Sequence, residues 1–315
     1  MIYRLVLLLS AISFLAACGG GGGGVQPTVY PAISLSTSTS SLAENSGTTV
    51  TLTVTASKIS DEDITVTLST SGTATDGTDY SAVNGSSLTI TAGTTTATKT
   101  FTITDNSIYE GNETVIVAIS TVSGGSATEN GTQTETITIT ENESAPTITL
   151  STSTSSVAEN SGTIVTLTVT SSQAADEDIT VTLASSGTAT DGTDYSSVNS
   201  SSLTITTGTT TATKTFTITD NSIYEGNETI IVSINTVSGG GAAESETQTE
   251  TITITENESA PTVSIDVDGA TSASVYDNGS NLTLTATSTQ ISDEAITVVI
   301  GTSVGGATEG TDYAV

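Results

Sequence analysis

Thr49-Val50-Thr51-Leu52-Thr53-Val54-Thr55 sets an apolar residue at every second position, with threonine between. Successive side chains of a β-strand point to opposite faces, so the stretch reads as a strand with one dry face and one wet, threonine-coated face. Working outward, the same period recurs in Ile64/Val66/Leu68, Leu88/Ile90, Phe101/Ile103, Val115/Val117/Ile119 and Ile137/Ile139, with Ile33/Leu35 nearer the start. Clusters of Gly, Asn, Asp and Ser separate these runs. About seven strands in ~110 residues, and no persuasive helical period beyond the N-terminal segment, predict an all-β fold: an Ig-like β-sandwich with Greek-key connections. Within it, residues 87–90 and 96–104 read as one hairpin, and 113–120 and 134–140 as the last two strands. Tyr80, Phe101 and Tyr109 are the expected core aromatics.

The whole unit is written twice. Ala43-Glu44-Asn45-Ser46-Gly47 returns as Ala158-Glu159-Asn160-Ser161-Gly162, and Gly72-Thr73-Ala74-Thr75-Asp76-Gly77-Thr78-Asp79-Tyr80 returns as the same residues over 187–195. Asp105 to Glu113 returns as Asp220 to Glu228, and Ile137-Thr138-Ile139-Thr140-Glu141-Asn142-Glu143 as Ile252 to Glu258. A repeat this long is a domain, not a solenoid rung. The fold is therefore a tandem of sandwiches whose acidic residues stay in register.

Composition excludes several partners. Asp and Glu number 34 against four Lys and Arg, for a formal net charge of -30. Such a chain repels nucleic acid and anionic surfaces. The clean alternation argues against the disorder that acidic, aromatic-poor composition otherwise suggests. Histidine and tryptophan are absent, and one cysteine, Cys18, permits no intrachain disulfide.

Arg4, the apolar run Leu5 to Leu15 and the ending Leu15-Ala16-Ala17-Cys18 form a signal segment. The ending resembles the lipobox of bacterial lipoproteins, which implies cleavage before Cys18 and attachment of lipid to its thiol. Two or three acyl chains anchor stably where one is marginal. Gly19 rather than aspartate after the cysteine favours the outer membrane where the cell has one, with the repeats facing periplasm or exterior. Gly19 to Pro27 reads as a flexible tether of ~9 residues with a reach of roughly 15–18 Å.

On an up-and-down reading of the strands, four acidic segments converge at one end of each sandwich. They carry Glu44; Asp76 and Asp79; Asp105, Glu110 and Glu113; and Glu141 and Glu143. Asp61-Glu62-Asp63 and Glu129/Glu135 fall at the other end or on flanks. Two like charges 4 Å apart repel by ~4 kcal/mol at an effective dielectric near 20. Against a domain stability of ~5–15 kcal/mol, several such pairs need neutralising. Ca²⁺ suits such a cluster because it takes several oxygen ligands with flexible geometry, whereas Mg²⁺ demands a stricter octahedron. Without His or free thiolate, Zn²⁺ and Cu²⁺ are poorly served. The alternative reading is of solvated loop charges kept for solubility.

These four motifs, in order and seen twice, resemble Calx-beta domains, the Ca²⁺-binding β-sandwiches of sodium/calcium exchangers that also occur in tandem in bacterial surface proteins. The resemblance implies Ca²⁺ ligands at Glu44, Asp79, Asp105, Glu110, Glu113, Glu141 and Glu143. In the second copy it implies Glu159, Asp194, Asp220, Glu225, Glu228, Glu256 and Glu258. Asp76 and Asp191 are further candidates, although an Asp-Gly pair is also ordinary turn chemistry. The closing Glu-Asn-Glu departs from the aspartate run of exchanger-type members.

A third copy begins: Asp277-Asn278-Gly279 takes the place of Glu159-Asn160-Ser161, Asp293-Glu294 that of Asp176-Glu177, and Glu309 to Tyr313 that of Asp191 to Tyr195. Asp277 and Asp312 are its candidate ligands. The sequence stops at Val315, before the last strands, and so reads as a piece of a longer protein with an exposed apolar half-sandwich. The organisation is then 1–17 signal peptide, 18–31 lipidated cysteine and tether, 32–145 and 146–260 full Calx-beta repeats, and 261–315 a partial third. Short junctions ending in Pro146 and Pro261 place the last acids of one repeat close to the next.

The expected function is a Ca²⁺-stiffened, lipid-anchored cell-surface stalk or adhesion module meeting matrix or other cells. A Ca²⁺-independent spacer and a Ca²⁺ sensor or buffer are the alternatives. An enzyme is not expected, because crowded loop acids supply neither a pocket nor a single raised pKa.

Overall fold

The computed structural model describes residues 29–267 and 281–301. The signal segment, Cys18, the tether, Asp277 and Asp312 lie outside the described residues.

The first repeat is a two-layer sandwich of short strands. They are β1 Ala32–Thr37, β2 Ser41–Ala43, β3 Thr49–Ala56, β4 Ile64–Gly72, β5 Ser87–Ile90, β6 Thr96–Thr102, β7 Glu113–Ser123, β8 Thr128–Glu129 and β9 Thr134–Thr140. One sheet has the order β6-β3-β1-β8 and the other β2-β9-β7-β4-β5. The second repeat copies both sheets with β10 Thr147–Thr152, β11 Ser156–Ala158, β12 Ile164–Ser171, β13 Ile179–Gly187, β14 Ser202–Ile205, β15 Thr211–Thr217, β16 Glu228–Ser238, β17 Ala243–Glu244 and β18 Thr249–Thr255.

The alternating residues form the core. Val50, Leu52 and Val54 of β3 face Ile64, Val66 and Leu68 of β4, Val115 and Val117 of β7 and Ile137 of β9, all of them buried. Tyr80 and Phe101 close one end of it, their rings edge to face with centroids 5.6 Å apart. Gly72 ends β4 at φ 119°, and a Cβ there would sit 2.1 Å from the Thr114 carbonyl oxygen, so only glycine lets β7 pass.

Three expectations are corrected. Residues 87–90 and 96–104 are not a hairpin: β5 pairs with β4, whereas β6 pairs with β3 in the opposite sheet. The turn between them is tied to the β3–β4 connection instead, Gly93 donating its N–H to the Ser60 carbonyl and Ala92 to Asp63 Oδ1. Two short strands carry no period that the sequence reveals: β2, parallel to β9, and β8, parallel to β1. Tyr109 is not a core residue; it is half-buried, outside the cluster that holds Tyr80 and Phe101.

Of the third repeat, β19 Val263–Val267 and β20 Leu284–Ser288 form an antiparallel pair. Their apolar residues are open to solvent, as Ile265 and Leu284 show.

Candidate metal centre

Glu44 opens a single 3₁₀ turn, Glu44–Ser46, directly after β2. That turn folds the side chain inward, leaving it 4% exposed, where its Oε1 accepts the N–H of Asn106 at 3.3 Å. Asp79 lies in the loop after β4, and its Oδ2 accepts the Thr75 N–H at 2.6 Å. It is 7% exposed. Its own carbonyl takes the Thr104 N–H, which fixes the loop against the segment after β6. The connection from Asp105 to β7 is shaped by Asn106, whose Oδ1 accepts the Ile108 N–H and whose Nδ2 donates to Glu110 Oε1. Asn112 Oδ1 accepts the N–H of Glu141, binding this connection to the end of β9.

The four segments thus converge, and two triads result. Glu44, Glu141 and Glu143 each offer a carboxylate oxygen within 4.8 Å of the others, and so do Asp79, Glu110 and Glu113. The second repeat repeats both, as Glu159/Glu256/Glu258 and Asp194/Glu225/Glu228. Asp105 and Asp220 join neither triad and are exposed, although the charge of Asp105 bears on Glu143.

Asp76 and Asp191 have a different role. Asp76 Oδ2 accepts the Thr70 hydroxyl and the N–H groups of Val83 and Asn84. Asp191 does the same for Ser185, Val198 and Asn199. Each pins its own loop, as the Asp-Gly turn chemistry suggests. Against the upward push of burial, the Ser197 hydroxyl together with those donors holds Asp191 down at about 2.

Electrostatics separate the carboxylates of the cluster. Burial first, then the charges of Glu110 and Glu141, lift Glu44 to about 7. Burial and the neighbouring Asp79 and Glu110 lift Glu113 to about 7. Glu159 and Glu228 reach about 7 in the same way. The expectation that these acids lack raised pKa values is therefore corrected: burial in the converging loops supplies most of the shift. Glu256 runs opposite, held at about 2 because the N–H groups of Glu258, Glu225 and Gly226 outweigh its burial. Glu143 Oε2 and Glu258 Oε2 are buried with no hydrogen-bond partner.

Among the described residues, no side-chain cation is placed to neutralise this charge. The second repeat has one lysine, Lys214, on β15 opposite Leu167, in a sheet rather than in the acidic loops. Asn106, Asn112 and their copies Asn221 and Asn227 are absent from the residues expected at the site; their positions inside the repeated acidic motifs were the available signal.

The Calx-beta domain profile matches residues 28–143 and again 141–258. The chain belongs to the Calx-beta family. No curated protein matches it in sequence. Among solved structures, the Calx-beta repeats are similar to CBD12 from CALX1.2, at 19% identity over 62% of this chain and 77% of that one, with a TM-score of 0.30. The apo-form Calx CBD1 domain is 18% identical over 35% of this chain and 97% of its own, TM-score 0.30. The Yersinia pseudotuberculosis adhesin InvE is 14% identical over 75% and 61%, TM-score 0.30.

Proposed function

We propose that each Calx-beta repeat holds Ca²⁺ at its acidic end, between Glu44, Asp79, Glu110, Glu113, Glu141 and Glu143 in the first repeat. Glu159, Asp194, Glu225, Glu228, Glu256 and Glu258 serve in the second, with Asp105 and Asp220 at the rim. The observation that carries the reading is the pairing of two carboxylate triads on fixed loops without a cationic side chain to balance them. The donor set fits the ion. All of it is hard oxygen, and the buried Glu143 Oε2 and Glu258 Oε2 are acceptors that no protein donor satisfies. Membership of the Calx-beta family, whose domains bind calcium, agrees with this choice of ion. The chemistry the ion supplies is charge neutralisation, removing the repulsion that adds to burial in raising Glu44 and Glu113.

On this reading the protein is a lipid-anchored surface stalk or adhesion module. Cys18 fixes it to the membrane, the outer one in a cell with two, and Ca²⁺ stiffens the array of repeats. The partner is matrix or another cell surface. Catalysis is not part of the reading: the raised carboxyls are crowded among other acids on the loops, and Glu44 and Glu159 are buried there.

Thermal unfolding of the segment from Val25 to Pro261, in EDTA, Ca²⁺ and Mg²⁺, tests the metal site. Binding to the folded state alone adds about 2.7 kcal/mol at a hundredfold excess over Kd. A rise of many degrees in Ca²⁺ and little in Mg²⁺ is expected; no shift with either ion overturns the reading. The Ca²⁺-independent spacer has one observation in its favour. Glu141 and Glu256 already collect main-chain N–H donors, so the loops have a scaffold without an ion. Sub-micromolar affinity would instead mark a sensor or buffer.

A further inference from the structure

The connection between Asp105 and Glu113 does more than carry acids. Tyr109 donates its N–H to the Ala174 carbonyl at 3.0 Å and accepts the Asp176 N–H on its own carbonyl at 3.2 Å. Ala174 and Asp176 belong to the next repeat, in the loop between β12 and β13. Two reciprocal main-chain bonds make a one-residue parallel bridge between domains, centred on Tyr109 and Ala175. The second repeat does this again to the third: Tyr224 donates to the Ile291 carbonyl and accepts from Asp293, bridging Ser292.

Main-chain bonds do not by themselves select a partner; the side chains around them do. A Cβ placed on Gly241 would lie 2.5 Å from Tyr109 Cε1 and 3.0 Å from its hydroxyl oxygen, so the ring occupies the space that the missing side chain leaves. The first repeat carries Ser126 at the position corresponding to Gly241, with nearly the same backbone, φ 53° against 60°. Serine is thus compatible with that turn, and at Gly241 any side chain would have to displace the Tyr109 ring from its seat. A second difference agrees. Gln173 donates its side-chain amide to the Ser144 carbonyl in the junction between the repeats. The third repeat has Gln290 at this place, although its Nε2 is buried without a partner, whereas the first repeat has Lys58.

We propose that the Tyr109 loop and the Gln173–Asp176 loop with Gly241 form a dedicated docking surface, and that its partner is the following repeat of the same chain. The donor half lies at the acidic end of one repeat and the acceptor half at the opposite end of the next. The first repeat has the donor half only, with Lys58 and Ser126 in place of the acceptor residues. The bonds of the dock are main-chain bonds with an aromatic ring seated over a glycine, and none of them is made by an acidic side chain, although the Asp176 carboxylate lies close enough to the cluster for its charge to act on Glu110 and Glu113.

Amide hydrogen exchange on the full chain, in EDTA and in Ca²⁺, reads the dock directly at Tyr109 and Asp176. Protection of both amides in EDTA is expected. In Gly241→Ser and in Tyr109→Ala the Asp176 amide should exchange about tenfold faster or more, with β12 and β13 unchanged. The two substitutions combined should do no more than one alone. Ser126→Gly, in the repeat that does not receive the Tyr109 loop, should alter neither amide. Unchanged Asp176 exchange in both Gly241→Ser and Tyr109→Ala overturns the proposal, and so does a junction unprotected in EDTA. Because EDTA is one arm, failure here is separate from failure of the Ca²⁺ reading, which rests on the metal titration.

Discussion

Glu141 Oε2 accepts the main-chain N–H of Glu110 at 2.6 Å, tying the segment after the last strand of the sandwich to the loop that supplies the acidic triads. It also takes the Gly111 N–H, while Oε1 takes those of Asn142 and Glu143. One member of the cluster is therefore a structural anion. Glu141→Ala should lower stability by about 1–3 kcal/mol even in EDTA, because it leaves main-chain donors without an acceptor. Urea unfolding checks this; an unchanged midpoint would contradict it.

Glu113 has the opposite character. Burial makes its charge costly, and the neighbouring charges of Asp79 and Glu110 add to that cost. Glu113→Gln should raise stability in EDTA by roughly 1 kcal/mol, less than the full shift because the site is partly solvated. The same change should weaken Ca²⁺ binding. Calorimetry and thermal unfolding read the two signs; a Gln variant less stable in EDTA refutes the assignment.

The pH dependence follows from the same groups. Glu44, Glu113, Glu159 and Glu228 titrate near 7 in the folded state and near 4.5 when unfolded. Their contribution to stability is fully present below about 4.5 and lost as pH rises through about 7. Glu256 and Asp191, at about 2, contribute above their ordinary values and lose this only in strong acid. In EDTA the melting temperature should therefore climb as pH is lowered from about 8 to about 5, and Ca²⁺ should flatten the slope. A flat profile in EDTA over that interval rules this out.

Asp76 gives a control in which stability falls while ion binding does not. Asp76→Ala removes an acceptor for Thr70, Val83 and Asn84. It should cost about 1–3 kcal/mol and leave Ca²⁺ affinity unchanged. A large loss of affinity at equal stability would restore Asp76 to the ligand set.

The strand pattern was legible because alternation is a local property: Val50, Leu52 and Val54 show which side is dry without knowledge of any partner. Which sheet a strand joins is not local. The short turn between Ile90 and Thr96 looks like a hairpin loop, and the crossing between sheets shows only in the partners that β5, β6 and the turn find elsewhere, such as Asp63 for Ala92. β2 and β8 are too short to display a period. The convergence of the acidic segments was readable from the order of motifs, whereas the division between ligand candidates and loop pins was not. Asp76 and Asp79 sit three residues apart in one motif, and their roles are set by which N–H groups each one meets. Tyr109 reads as core in the sequence because an aromatic beside a strand fits a core equally well; the residue that explains it, Gly241, belongs to another domain.

The parallel pairing of β2 with β9 bears on how a repeat carries force. Ser41 to Ala43 lie beside Thr138 to Thr140 in the same direction. One strand is reached early in the repeat and the other is its last. A pull on the two ends of the chain therefore drags these strands past each other lengthwise, loading their hydrogen bonds together instead of unzipping them in turn.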